Sequence, residues 1–517
     1  MKRILALTLA ALTLILTACG SVNTPTETTA KQTTDTATTE VTPTETTEET
    51  TVAQTTPAVT YPPATVPTFT TTATEQTTTI VTPVIPEGYS KNLVYISNGD
   101  GTCYLDRRGD CTDSYIKIPS VSPMGDRVTA ISEHAFRGDD ELYSIAIPES
   151  VTKIGKGAFA SCQLLTEVSI KNGITEISED AFRDCPSLSK VTLPDTLKRI
   201  GKSAFQSCPS LVSIGFPNAL AYIGESAFED CGLKYLVFPR SLTKIDNRSF
   251  YSCDGLIRVN FAEGLYSIGE KAFFDCLAIE SIALPSSLRD VGAEIFNFRN
   301  LSIFTYYEHA YYVANSTNPY FLLLKSDSLD IESFVIHPDT EVIAGNAYRG
   351  CSLPHDLILP HTIRGIGPNA FALCSNLENL VLGNNLEHIG YQAFLHCPIK
   401  DLTIPVNVRV IDDRAFEHGA MKTITLNGGE ALGDMAFAFS TAQSIIISTQ
   451  TKNLPYRLFY NAPYMNDIRY LGTVEQWNAI AKAEGWDEGM GGKTPEGTKR
   501  DTYTIHCTDN KIVVPIS

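Results

Sequence analysis

Two short apolar patterns alternate along most of this chain. The first, Leu-x-x-Val-x-Ile/Leu-Pro, reads Leu188-Ser-Lys-Val-Thr-Leu-Pro194 and Ile279-Glu-Ser-Ile-Ala-Leu-Pro285. Its end alternates apolar and polar, as a half-buried strand does. The proline then stops the strand, because it has no N–H to give the ladder. The second pattern, Leu-x-x-Ile-Gly-x-x-Ala-Phe, reads Leu197-Lys-Arg-Ile-Gly-Lys-Ser-Ala-Phe205. It predicts extended chain, a bend permitted by glycine, and a short helical turn carrying Ala-Phe. No apolar run here is long enough for a helix that stands alone.

Together the two patterns form one unit that returns about every 23 residues, as in Val151-Thr-Lys-Ile-Gly-Lys-Gly-Ala-Phe-Ala-Ser-Cys162. A fixed period of this length signifies a solenoid. The aromatic column runs Phe136, Phe159, Phe182, Phe205, Phe228, Phe250, Phe273, Phe296, Tyr348, Phe371, Phe394, Phe416, Phe437 and Phe459, which gives about 14 coils of 22–23 residues. The expected fold is a β-rich solenoid with a parallel sheet on one face and short strands and 3-10 or helical turns on the other. At a strand spacing of about 4.8 Å the stack should run on the order of 65 Å.

The rhythm breaks at 297–340, which holds Tyr306, Tyr307, Tyr311, Tyr312, Tyr320 and Phe321. Strands are expected at Ala310–Val313, Phe321–Lys325 and Phe334–Ile336, bulging from the solenoid as an aromatic hairpin. Its rings serve either as a mini-core or as a platform for sugar or peptide. The flanking segments are repeats at 129–296 and 341–462, an N-terminal cap at 89–128 and a C-terminal cap at 463–517. Caps are needed because a bare end coil exposes apolar edge. Glu475–Ala483 reads as a short helix with Thr473 as N-cap.

Residues 1–18 have the form of a processing signal: Met1-Lys2-Arg3, an apolar run from Ile4 to Leu16, then Leu16-Thr17-Ala18-Cys19-Gly20. This end resembles the lipobox of bacterial lipoproteins. The resemblance implies that Cys19 becomes the mature N-terminus and carries lipid. Residues 19–88 follow as a stalk, roughly 40% Thr with much Pro and Glu. Such a composition buries too little to offset chain entropy. A disordered stalk of this length reaches on the order of 50–100 Å. The localisation that this resemblance implies is the extracellular face of a bacterial cytoplasmic membrane, lipid-anchored and exposed at the cell surface.

Net charge is −18, which argues against nucleic acid as a partner. Of 13 cysteines, nine share one slot three residues after the aromatic: Cys162, Cys185, Cys208, Cys231, Cys253, Cys276, Cys351, Cys374 and Cys397. One thiol per coil suits a column of small buried residues better than a metal site. Cys103 and Cys111 flank Arg107-Arg-Gly109 and are candidates for a hairpin disulfide.

The repeat unit resembles the BspA-like, Treponema-type leucine-rich repeats over about two thirds of the chain. The resemblance implies a curved, right-handed solenoid with its parallel sheet on the concave face, and a place on bacterial surfaces. Some relatives are adhesins. No phosphate loop, nucleophile elbow or zinc helix occurs, so a non-enzymatic scaffold without metal or cofactor is expected. Its ligand would be a protein or glycan on another cell or matrix. The alternative is a carbohydrate-binding surface protein of a polysaccharide-degrading bacterium. For a binding sheet, the outward strand slots are the contacts: Lys190, Tyr235, Arg258 and Asn260, with Tyr and Arg the residue types enriched at hot spots. Most other slots are small, as at Ser144, Ala146, Ser169, Ser213, Gly215, Ser281 and Ala283. A glycan site would use Tyr311 and Tyr312.

Overall fold

The computed structural model describes residues 87–299, 301–329, 334–494 and 497–516. The signal segment, Cys19 and nearly all of the expected stalk lie outside them. Most coils give one strand to a front sheet and a two-residue strand to a back sheet. On the front, Ser144–Ile147, Glu167–Ile170 and Lys190–Thr192 run parallel, with Ile145, Val168 and Val191 opposite one another. Tyr235–Val237, Arg258–Asn260 and Ser281–Ala283 continue the face after a gap at Ser213–Gly215. A glycine within a strand weakens it. On the back, Glu176–Ile177, Arg199–Ile200 and Tyr222–Ile223 pair in register, with each isoleucine buried.

Between the sheets the phenylalanines stack face to face. Phe205 lies 5.3 Å from Phe182 and 5.2 Å from Phe228, ring centre to ring centre. The turn that carries them is not helical. It is built from overlapping turns in which the residues two before and two after the aromatic are left-handed in most coils, as at Ser203 (φ 51°) and Ser207 (φ 56°). Ser, Asp, Asn, Arg and His occupy these slots more often than Gly, which hides them in the sequence. The glycine after the isoleucine has a different task from the expected bend. At Gly201 the backbone is ordinary, but a Cβ would lie 2.7 Å from the Ile177 carbonyl oxygen of the coil below. It is a point of close coil-to-coil approach.

The repeat-slot thiols are buried and free. Each does more than fill space. Cys185 Sγ donates to the Phe159 carbonyl at 3.1 Å, Cys208 to Phe182 at 3.3 Å and Cys231 to Phe205 at 3.1 Å. Among the described residues the Phe159, Phe182 and Phe205 carbonyls accept no backbone N–H, so the weak S–H donor answers a buried acceptor; at Phe136 and Phe250 it shares the carbonyl with a backbone N–H. Cys103 and Cys111 are likewise buried free thiols, without the hairpin disulfide between them. Cys103 sits in the strand Thr102–Arg107 with its Sγ 3.7 Å from the Asp126 carbonyl oxygen.

The solenoid has about 16 turns, more than the aromatic column counts, because both caps add rungs. Thr102–Arg107 pairs parallel with Arg127–Ile131, and Ala481–Lys482 with Asn453–Leu454. The helix is Val474–Ala479, shorter than expected, and Thr473 and Gln476 form a capping box at its start.

The described part of 297–340 is a wall, not a bulge. Its strands are Phe304–Tyr307, Ala310–Val313 and Leu322–Ser326; no strand forms at Phe334–Ile336. Leu322–Ser326 pairs parallel with Val342–Ile343 and so begins the back sheet of the second stack. Alternate side chains serve two cores. Val313, Leu322, Leu324 and Val342 face the core of the first stack; Tyr312, Leu323 and Ile343 face that of the second. Phe321-Leu322-Leu323-Leu324 is apolar throughout because both of its faces are buried. The two stacks also meet at a seam. There Gly345 N–H donates to the Val291 carbonyl at 2.7 Å, and Gly365 presents bare backbone to Arg289.

Candidate functional site

A strand of the front sheet turns every second side chain outward, and a 23-residue step brings the same slot of the next coil beside it. Tyr235 and Arg258 are therefore register partners, as are Val237 and Asn260. All four are exposed; Tyr235 is 57% and Val237 64% accessible. Among the described residues Arg258 has no ion pair and Tyr235 no ring contact or side-chain hydrogen bond. The next slots are Ser281 and Ala283, so the pair stands above a low surface.

The other expected contacts divide. Lys190 is exposed, but its Nζ is 2.6 Å from Glu167 Oε1, and the gap at Ser213–Gly215 separates it from Tyr235. Tyr312 is fully buried in the wall and cannot touch a ligand. Tyr311 is half-buried against Phe298 at 5.3 Å and Tyr306 at 5.2 Å. Only Tyr306 of that group is exposed, and its hydroxyl donates to Asp327 at 2.7 Å.

The front sheet of the second stack holds a surface that the sequence reading passed over. Asp356, Asn379 and Asp401 line one lane, and Ile358 and Val381 the next, with Ile358 73% accessible. The signal was available, since these are the same repeat slots as Tyr235 and Val237. A polar cleft of about 710 Å3 beside the seam includes Asn318, Glu341, Arg364, Asn385, Glu387 and Arg409. Its charges largely answer one another: Arg364 reaches Glu387 at 2.6 Å, and Arg289 reaches the same carboxylate at 3.1 Å. Burial would raise the Glu387 pKa, but these two guanidiniums outweigh it and hold the carboxyl below the usual range.

Among the described residues no group of three or more His, Cys, Asp or Glu is placed to hold a metal ion. His396 and His418 stack at 4.1 Å on successive left-handed turns. No described helix is long and apolar enough to cross a membrane.

A BspA type leucine rich repeat region in 6 copies matches residues 129–257, 226–353 and 341–466, well over half of the chain. Among solved structures, a leucine rich cell surface protein from Faecalibacterium prausnitzii is 23% identical and covers 76% of this chain and 96% of its own, with TM-score 0.34. The leucine rich repeat protein of T. pallidum is 29% identical over 37% of this chain and 88% of its own, with TM-score 0.35. One from Bacteroides ovatus is 20% identical over 74% and 89%, with TM-score 0.35. No curated protein matches the chain. Its repeats, its two-sheet solenoid and its aromatic column make this chain a member of the BspA-type leucine-rich repeat family.

Proposed function

We propose that this protein is a surface-displayed scaffold that binds a protein partner through the front sheet of its first stack. Lipid on Cys19 would hold it to the membrane, and the Thr-rich segment would carry the repeats outward. The observation that carries the binding reading is the exposed pair Tyr235 and Arg258, adjacent in register and without side-chain partners among the described residues. A large ring and an unpaired guanidinium are the groups that anchor protein interfaces. Low neighbours at Ser281 and Ala283 leave room for a partner to seat around them.

The test is binding of the purified full chain to arrayed matrix proteins, mucins, bacterial cells and plant polysaccharides. The proposal expects protein or cell binding that a Tyr235→Ala/Arg258→Ala double variant reduces at least tenfold. Binding that the double variant leaves intact would remove the front-sheet site. A glycan reading retains support from one ring, exposed Tyr306 beside Tyr311. Polysaccharide binding lost in Tyr306→Ala and kept in the front-sheet variant would favour it.

A further inference from the structure

The second stack presents a front face unlike the first. Asp356, Asn379 and Asp401 occupy the same outward slot on three consecutive coils. Asn379 Nδ2 donates to Asp356, while the Asp401 carboxylate has no ion pair or side-chain hydrogen bond among the described residues. The neighbouring lane holds Ile358 and Val381, side by side in register. A groove of about 440 Å3 opens there, with Val381, Pro405 and Val406 as apolar lining and Asp401 and Thr403 at its polar side. Val381 and Val406 are 51% and 52% accessible. Exposed apolar groups next to an unpaired carboxylate match the two parts of a lysine or arginine side chain. Its methylene stem covers apolar surface while its charged head finds a counter-charge.

The spacing narrows the partner. Asp356 and Asp401 are two rungs apart, about 9.6 Å at the usual strand spacing. In a β-strand, residues i and i+3 point to opposite faces and cannot both reach the lane. A polyproline II segment returns to the same face every third residue, a step of about 9.3 Å. We infer that the front sheet of the second stack binds a cationic polyproline II segment of a protein partner, with Lys or Arg at every third position, through Asp356 and Asp401. The inference rests on the reading of the front sheet as the binding face, but on other residues than Tyr235 and Arg258.

A direct test titrates the purified full chain with acetyl-(Lys-Pro-Pro)3-amide, using calorimetry or fluorescence anisotropy. Binding should weaken at least tenfold in Asp356→Asn/Asp401→Asn and fall as salt rises from 50 to 300 mM. It should persist in Asp254→Asn/Glu484→Gln, which removes two exposed turn charges away from the front strands. A peptide with its three lysines adjacent, and (Glu-Pro-Pro)3, should both bind at least fivefold more weakly. The protein is acidic overall, so equal loss in both charge variants would reduce the effect to general attraction and overturn the inference. So would no binding of (Lys-Pro-Pro)3, or equal binding of the clustered peptide. Loss only in Tyr235→Ala/Arg258→Ala would overturn it while leaving the proposed function standing. All four positions are exposed, and matched melting curves confirm that each variant is folded.

Discussion

Arg289 and Glu387 lie 98 residues apart in the chain and meet at 3.1 Å across the seam between the two stacks. The Arg289 guanidinium is nearly enclosed, with side-chain accessibility of 7%. It also donates to the Ser286 and Leu288 carbonyls, so it is held in place from its own stack and reaches to the other. Removing one partner from a buried pair leaves the other charge uncompensated. Glu387 keeps 26% of its side chain accessible, so Glu387→Gln should cost roughly 1–3 kcal/mol, between an exposed and a buried pair. Chemical denaturation of both proteins measures it; a change under about 0.5 kcal/mol would show that the seam does not depend on this pair.

Gly365 is required where it stands. A Cβ there would sit 1.9 Å from the Arg289 carbonyl oxygen, which is rigid backbone. Gly365→Ala should destabilise by about 3 kcal/mol or more through overpacking. Gly215, on the open front face, has nothing within 4 Å of a built Cβ. Gly215→Ala should be neutral to within about 0.5 kcal/mol. Comparing the two variants in one denaturation series separates steric cost from loss of glycine itself.

Phe205→Ala should cost roughly 3–5 kcal/mol, because the ring is fully buried and stacked on both sides. An unchanged melting temperature would contradict the coil register.

His388 predicts the pH response of the seam. Its Nε2 lies 3.0 Å from Asp412 Oδ2, its ring lies 5.9 Å from that of Tyr266 on the first stack, and the imidazole is buried. Burial alone would lower its pKa; the bond to Asp412 and the charges of Asp412 and Asp290 outweigh this and raise it above 6.5. A group with a raised folded-state pKa contributes fully below its unfolded value. That contribution is lost as pH rises through the folded one. Burial also raises the Asp290 pKa from 3.8, with the same sign at lower pH. Melting temperature should fall between about pH 6 and pH 8.5 more steeply in the natural chain than in His388→Gln. Parallel slopes would exclude His388 as the source.

The thiols should be silent in the folded protein. Of the twelve described cysteines, all but Cys507 are buried. A hydrogen bond with Cys162 and burial push the Cys185 thiol far up, and burial raises Cys351 to about 12. A thiolate-selective reagent should label at most Cys507 among them at pH 8, and the rest only in denaturant. Rapid native labelling of several thiols would mean that the coils open readily.

What the sequence made legible was whatever repeats. The Phe and Cys columns, the strand ends and the meeting of Tyr235 with Arg258 follow from counting in steps of 23, because neighbours in a stack are equal slots in successive coils. The wall was not legible. Periodicity cannot say what lies on each side of Phe321–Leu324, since a run buried on two faces loses its alternation. The left-handed turns were hidden for another reason: coil-to-coil hydrogen bonds, such as Ser207 N–H to the Glu229 carbonyl at 2.8 Å, hold residues that would not choose that conformation alone. The acidic lane was visible in the same slots as Tyr235, but Asp and Asn on a surface read as ordinary solubility.

The wall also governs how such a protein can change length. Within either stack each coil bonds only to its neighbours, so a whole coil can be duplicated or lost with its sockets intact. The wall must fit two unlike surfaces at once, through Leu322 and Leu324 on one side and Leu323 on the other, and the seam coils that carry Arg289, Gly365 and Glu387 are tied to both stacks in the same way. Gene rearrangements that copy coils away from the wall and the seam are thereby free to act on either side of them. They would move Tyr235 and Asp401 nearer or farther from each other in single-coil increments, and so alter the reach between two binding faces without redesigning either.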